Sequence, residues 1–208
     1  MREIVNRKDA FTRMRIEKDN EKLNNIRQKE AALAVEQKKK ERIKKVQSDL
    51  SSLIVSKDPH KRGKALESVL NELFDCYGIL VSEAFTISGD YGEGIIEQID
   101  GLICLDKRYY FVEMKWWNKE IGRREISEHL VKIANRGGNV RGLFISYSKY
   151  TEPAIIECRN ALNRNAVVVL ATLEEIFKLL DNEGDLKTWL RKKERAAIID
   201  RKPLYLDC

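Results

Sequence analysis

Two carboxylates and an ammonium, Asp100, Glu113 and Lys115, fall within the stretch EQIDGLICLDKRYYFVEMKWW (residues 97–117), spaced D-x12-E-x-K. Side chains alternate along a strand, so Phe111, Glu113 and Lys115 share one face while Val112, Met114 and Trp116 share the other. Asp100 lies on the preceding strand of an expected hairpin that turns at Asp106-Lys107, within reach of Glu113 across the pair. Asp and Glu oxygens hold a hard divalent ion such as Mg²⁺, which keeps waters and takes phosphate oxygen as a further ligand. Such an ion polarises a phosphodiester and lowers the pKa of a bound water. A neighbouring lysine orients that water and offsets charge on the pentacovalent transition state. The triplet alone is a weak pattern, because a Glu/Lys pair on a strand is commonly just solvated. Its setting strengthens it. Asp100 is held between Ile99 and Gly101-Leu102, where an unpaired charge is expensive, and Lys115 is flanked by Met114, Trp116 and Trp117.

These residues need a sheet to carry them. GKALESVLNELFDCYG places Leu66, Val69, Leu70, Leu73 and Phe74 at helical spacing and closes on Gly78. ILVSEAFTI reads as a strand, SGDYGEG as a flexible glycine-rich loop beside substrate, and IIEQIDGLICLD with RYYFVEMKWW as the hairpin. No GK[ST] follows the glycine-rich loop, so it is not a phosphate cradle of the P-loop kind. Helix, strand, helix, strand and two closing helices follow (GRREISEHLVKIANRGG, VRGLFISYS, EPAIIECRNALNR, AVVVLAT, LEEIFKLLD, DLKTWLRKKERAAI). Antiparallel strands followed by crossover connections imply an α/β fold of the α+β kind, a mixed sheet covered by helices on both faces.

The charge is unevenly distributed. Residues 1–50 hold 15 Lys/Arg against 9 Asp/Glu, a net of +6, whereas residues 51–208 hold 24 of each. Residues 1–57 contain no Gly or Pro and are rich in helix formers, so they read as a long basic N-terminal helix, an arm ahead of a domain over 58–208. Ile43, Val46, Leu50 and Leu53 follow coiled-coil spacing, and Leu23, Ile26 and Leu33 fit it out of phase. The arm either pairs with another helix along this seam or stands as a solvated single helix. Its basic run, including Lys38, Lys39 and Lys40, suits a polyanionic partner.

Cys76, Cys104, Cys158 and Cys208 form no CxxC pair, and with only two histidines a Cys/His zinc site is not expected. Free thiols, a basic N-terminus without an apolar core and no long apolar run lead to the expectation of a soluble, cytoplasmic protein without membrane contact.

Taken together, GKALESVLNELFDCYGI, EQIDGLICLD, YYFVEMKWW and RGLFISYSKYTEPAI resemble the PD-(D/E)XK nuclease superfamily, and more closely its Mrr-like (type IV) restriction endonuclease domain, across roughly residues 60–200. The resemblance implies a restriction-endonuclease-like core. It implies Asp100 and Glu113 as metal ligands, joined by the carbonyl of Met114, with Lys115 as the motif lysine. Glu67 matches the helix Glu that assists the metal through water; otherwise it is a first-turn Glu favouring the helix dipole. Relatives nearest Mrr often carry Gln at the carboxylate position, where this chain has Glu113.

Further residues have two readings each. Lys132 either reaches the scissile phosphate or solvates a helix face, and Arg123 and Arg124 either contact nucleic-acid backbone or do not. His129, Trp116, Trp117 and Gln98 read as packing residues. The function expected is a Mg²⁺-dependent endonuclease acting on DNA, with Mn²⁺ able to substitute, in restriction, defence or DNA processing. Cutting two antiparallel strands implies a homodimer. No second globular domain fits in the chain, so a protein partner would supply specificity. The rival is a catalytically silent nuclease-fold module that binds DNA or assembles through its helical arm. A second rival keeps the enzyme and changes the substrate to RNA or branched DNA.

Overall fold

The computed structural model describes residues 2–55, 58–88, 95–136 and 139–206, and the side chains of 2–13, 16, 19, 59, 60, 95 and 96 are not described. Most of the SGDYGEG loop, residues 89–94, therefore lies outside the described residues. The chain divides into two compact units, residues 1–42 and 43–208.

The first unit is helical throughout its described part, the beginning of α1 (Arg2–Val55). Leu23, Ile26, Leu33 and Val35 are exposed there, as are Lys38 and Lys40, while Lys39 is half-buried. Lys40 approaches Glu36 one turn earlier at 3.9 Å.

The second unit begins with the last three turns of α1. Val46, Leu50 and Leu53 are buried in its main core and Ile43 packs against it. The heptad positions thus find their apolar partner within their own domain, and the compact unit starts at Ile43 rather than at residue 58. Asp58 then opens α2 (Pro59–Cys76), its Oδ1 accepting the Lys61 N–H at 3.2 Å. Pro59 suits the first helical position, where a missing N–H costs nothing. Glu67 consequently lies two turns into the helix and not in its first turn.

A five-stranded sheet follows in the order β1-β4-β5-β6-β7. Its strands are β1 (Leu80–Ser82), β4 (Gly101–Leu105), β5 (Arg108–Lys115), β6 (Val140–Ser146) and β7 (Val168–Thr172). β4 pairs antiparallel with both β1 and β5, whereas β5, β6 and β7 run parallel. This is the expected mixed sheet. β2 (Phe85–Ser88) and β3 (Ile95–Ile99) form a separate antiparallel pair. Two expected strands are therefore broken: ILVSEAFTI divides between sheets, and IIEQIDGLICLD bends at Asp100.

Both faces of the sheet are covered, so its strands are nearly continuously apolar. Tyr110, Val112, Met114, Leu143 and Ile145 face a core shared with α1, α2, α5 (Leu173–Asp181) and α6 (Leu186–Ile199). Phe144, Val168 and Leu170 face α3 (Arg123–Ala134) and α4 (Glu152–Ala161). Cys76, Cys104 and Cys158 form no disulfide. Among the described residues no helix is long and apolar enough to cross a membrane.

Candidate active site

The site is assembled where the β4–β5 ladder ends. Gly101 pairs with Val112, and one step further Asp100 stands beside Glu113. The chain turns off into β3 at this point, and the Asp100 side chain takes over from the ladder. Its Oδ2 accepts the backbone N–H of Met114 at 2.8 Å. A residue's N–H and C=O leave a strand from the same edge, so the Met114 carbonyl also projects toward the Asp100 side. Asn71 of α2, itself buried, donates to the Asp100 carbonyl at 3.0 Å and fixes the bend from below. Gly101 makes room for this contact: a Cβ there would lie 2.5 Å from Asn71 Oδ1.

Lys115 sits between the two carboxylates, 2.5 Å from Glu113 Oε1 and 3.9 Å from Asp100 Oδ2. Lys132 of α3 turns inward instead of solvating its helix. It donates to Glu113 Oε2 at 2.7 Å and to the Gln98 carbonyl at 2.8 Å. Glu67 reaches the same cleft from α2. The cleft, about 610 Å³, is lined by Glu67, Asp100, Glu113, Lys115 and Lys132 together with residues of β3 and α3.

The cleft lining holds five carboxylates, Glu67, Glu97, Asp100, Glu113 and Glu128, against the ammoniums of Lys115 and Lys132. Glu97 pairs with Arg136 and Glu128 with Arg124, and the titration of the remaining groups reflects how closely they crowd. Burial, then the charge of Glu113, pushes the Asp100 carboxyl above its usual range. Burial, then Asp100, does the same to Glu67. Glu113 behaves oppositely. Burial works to raise it, but His129, Lys115 and Lys132 outweigh burial and hold it below the usual carboxylate range. His129 is fully buried behind Glu113, its Nδ1 3.8 Å from Oε2 and its ring edge-on to Phe144. Burial depresses its own pKa to about 4. The imidazole is therefore neutral near pH 7, and the two lysines are the charges that keep Glu113 ionised.

Asp100, Glu113, Lys115, Lys132, Glu67 and the Met114 backbone are thus gathered at one place, while the other singled-out cations are not. Arg123 pairs with Glu157 at 2.8 Å, and that carboxylate also takes Arg164 at 3.1 Å. Arg124 pairs with Glu128 at 2.9 Å on the exposed face of α3. Lys38, Lys39 and Lys40 belong to the first unit. Trp116 is buried and stacks on Tyr147, with ring centroids 4.7 Å apart.

Sequence reasoning missed Asn71 altogether and left Lys132 open. A lone Asn in an amphipathic helix carries no signal, whereas Lys132 lies on the same stripe of α3 as His129, one helical turn away.

The donor chemistry suits a hard divalent cation: two carboxylates and a carbonyl converge, and an ammonium already occupies the space between the carboxylates. Among the described residues no group of three or more His, Cys, Asp or Glu side chains is placed to hold a metal ion.

Comparison with solved structures gives likenesses that include the following three. The small subunit of the heterodimeric restriction endonuclease R.BspD6I aligns with a TM-score of 0.50 at 13% identity, over 76% of this chain and 90% of that one. At this identity the likeness concerns the fold. A protein of unknown function, AF1548, aligns at 0.40 and 16% identity over 50% of this chain, which spans 56% of that protein. A repair endonuclease from Pyrococcus abyssi aligns at 0.26 and 17% identity, over 42% of this chain and 38% of that one. No curated protein matches significantly. The family model Mrr_cat, described as restriction endonuclease, matches residues 61–180. That span is 120 of the 208 residues and contains every group in the cleft, and the chain belongs to this restriction endonuclease family.

Proposed function

We propose that the protein is a divalent-metal-dependent endonuclease that hydrolyses DNA phosphodiester bonds. The observation that carries the reading is the convergence of Asp100, Glu113 and Lys115 at the end of β5, with Lys115 in contact with both carboxylates. Asp100, Glu113 and the Met114 carbonyl would hold Mg²⁺, or Mn²⁺ in its place. When bound, the ion supplies Lewis-acid polarisation of the phosphate and a water of lowered pKa.

The remaining chemistry belongs to the side chains. Lys115, an ammonium with three donors, orients the attacking water and offsets charge on the phosphoryl oxygens as they become more negative. Its partners Glu113 and Asp100 raise its pKa against the opposing effect of burial, so it remains protonated and acts as a donor, not as a base. Glu67 faces the cleft with a raised pKa and is placed to accept a hydrogen bond from a water on the ligand side. The Met114 N–H holds Asp100 in a fixed orientation and so reduces reorganisation when the cation arrives.

Residues 1–57 contribute phosphate contacts that position but do not specify. Two copies acting on antiparallel strands would be related by a two-fold axis, and a protein partner would supply sequence or modification specificity. The small subunit of R.BspD6I, part of a heterodimeric restriction endonuclease, makes such a partner a natural arrangement for this fold.

The test is cleavage of supercoiled plasmid, methylated and unmethylated, with Mg²⁺ or Mn²⁺. Nicking by the wild type that falls about 10²–10³-fold or more in Lys115→Ala supports the reading. Equal nicking by both proteins overturns it.

A further inference from the structure

Both oxygens of Glu113 already carry a cation. Lys115 takes Oε1 at 2.5 Å, and Lys132, from a different element, takes Oε2 at 2.7 Å. The second contact is a short, charge-assisted hydrogen bond in a poorly solvated place, since the Lys132 side chain is only 21% exposed and that of Glu113 10%. An oxygen engaged in this way has less to offer an incoming ion, and an ammonium beside it repels that ion. Lys132 has a second anchor, the Gln98 carbonyl at 2.8 Å, which is independent of Glu113. Two of its three N–H groups are thus accounted for, and the residue lines the cleft.

We propose that Lys132 is a positioning residue that serves as an internal counterion of Glu113. It aims the carboxylate into the cleft and competes with the divalent cation for Oε2. Loading the cation drives the ammonium off Glu113, while the Gln98 carbonyl keeps it at the cleft wall. From there its charge is presented to a phosphate of the bound strand. Cation binding and phosphate binding become coupled through one lysine: the ion releases the charge that the nucleic acid then uses. The inference rests on the reading of Asp100 and Glu113 as cation ligands.

A simple ion pair stapling α3 to β5 would behave differently. Losing it would loosen the site and weaken cation binding, whereas losing a competitor strengthens it. The experiment is Mn²⁺ binding to the full chain without DNA, by calorimetry and by the electron paramagnetic resonance of free Mn²⁺. It compares wild type, Lys132→Met and Lys132→Arg. Lys132→Met, which keeps length and removes charge, is expected to bind Mn²⁺ about tenfold more tightly, within the usual range for coupled sites. Lys132→Arg, which keeps the charge, stays within about twofold of wild type.

Unchanged or weaker binding by Lys132→Met overturns the proposal while leaving the ligand assignment in place. Failure of wild type and variant alike to bind Mn²⁺ overturns the ligand assignment, and the proposal with it. Should Lys132→Met fail to fold, the wild type decides. Titration with diamagnetic Mg²⁺ is expected to move the Lys132 Cε resonance in step with binding, and a resonance unmoved at saturation overturns the proposal.

Discussion

The backbone N–H of Met114 donates to Oδ2 of Asp100 at 2.8 Å, a side-chain acceptor at the point where the β4–β5 ladder loses its backbone one. A single bond therefore does two things. It satisfies a donor stranded by the bend, and it draws a charged carboxylate into a place that is 4% exposed and next to a second carboxylate. The fold gives up stability here to bring two negative groups together, as is common at functional sites.

Asp100→Asn separates those two roles. The amide oxygen still accepts from Met114, but the buried charge is gone. Burial and Glu113 hold the folded pKa of Asp100 above its ordinary value of 3.8, so the folded protein binds this proton more tightly than the unfolded chain. The stability this gives is fully present below the unfolded pKa and is lost as pH rises through the folded one. Asparagine has no such loss. The variant is expected to gain on the order of 1 kcal/mol over wild type at pH 7, about 2–4 °C in Tm, with the gain vanishing toward pH 3. Thermal melts across pH check this, and plasmid nicking should be abolished in the same variant.

Glu67→Gln removes a cleft carboxylate that makes no ion pair among the described residues. An outer group of this kind typically contributes about 10–100-fold in metal affinity or activity. Nicking is expected to fall within that range and not to disappear. The charge of Asp100 contributes to the raised Glu67 pKa, so Asp100→Asn is expected to lower it. Measured by NMR titration, a Glu67 carboxyl unmoved in that variant would show that Glu67 stands too far from the ligands to assist.

Gly101→Ala tests the support beneath the site. The new methyl would meet Asn71 Oδ1 at 2.5 Å, and Asn71 is buried with its amide committed to the Asp100 carbonyl. Relief requires Asn71 to move, leaving that carbonyl without its donor. A cost of about 1–3 kcal/mol is expected from overpacking and the broken hydrogen bond, with a drop in nicking although no cleft side chain has changed. Denaturant unfolding and the plasmid assay measure the two effects.

The sheet, its helices and the nearness of Asp100, Glu113 and Lys115 were legible because each leaves a local signal: apolar strand runs, helical stripes in α2 and α3, and D-x12-E-x-K. What was not legible depends on contacts between distant segments. The break at Asp100 does not follow from the apolar pattern; it comes from β3 pairing with β2 instead of extending β4. Lys132 looks like any helix lysine until α3 is laid against β5. The seam Ile43, Val46, Leu50, Leu53 has the same spacing whether it meets a second chain or, as here, its own core. Periodicity reports that a face is buried and leaves open what buries it.

That last point separates two truncations. Residues 1–42 hold 13 Lys/Arg and 8 Asp/Glu and constitute a compact unit of their own. Residues 43–57 add Val46, Leu50 and Leu53, which are core. Each buried leucine removed costs about 2–5 kcal/mol, so deletion of 1–57 is expected to abolish cooperative unfolding, a result that says nothing about nucleic acid. Deletion of 1–42 is expected to leave Tm within a few degrees of wild type. DNA affinity should then fall, and the slope of log K against log salt should become shallower by about 0.9 for every phosphate no longer neutralised. Affinity and slope both unchanged would remove the basic helix from DNA binding and leave recognition to the cleft and its surroundings.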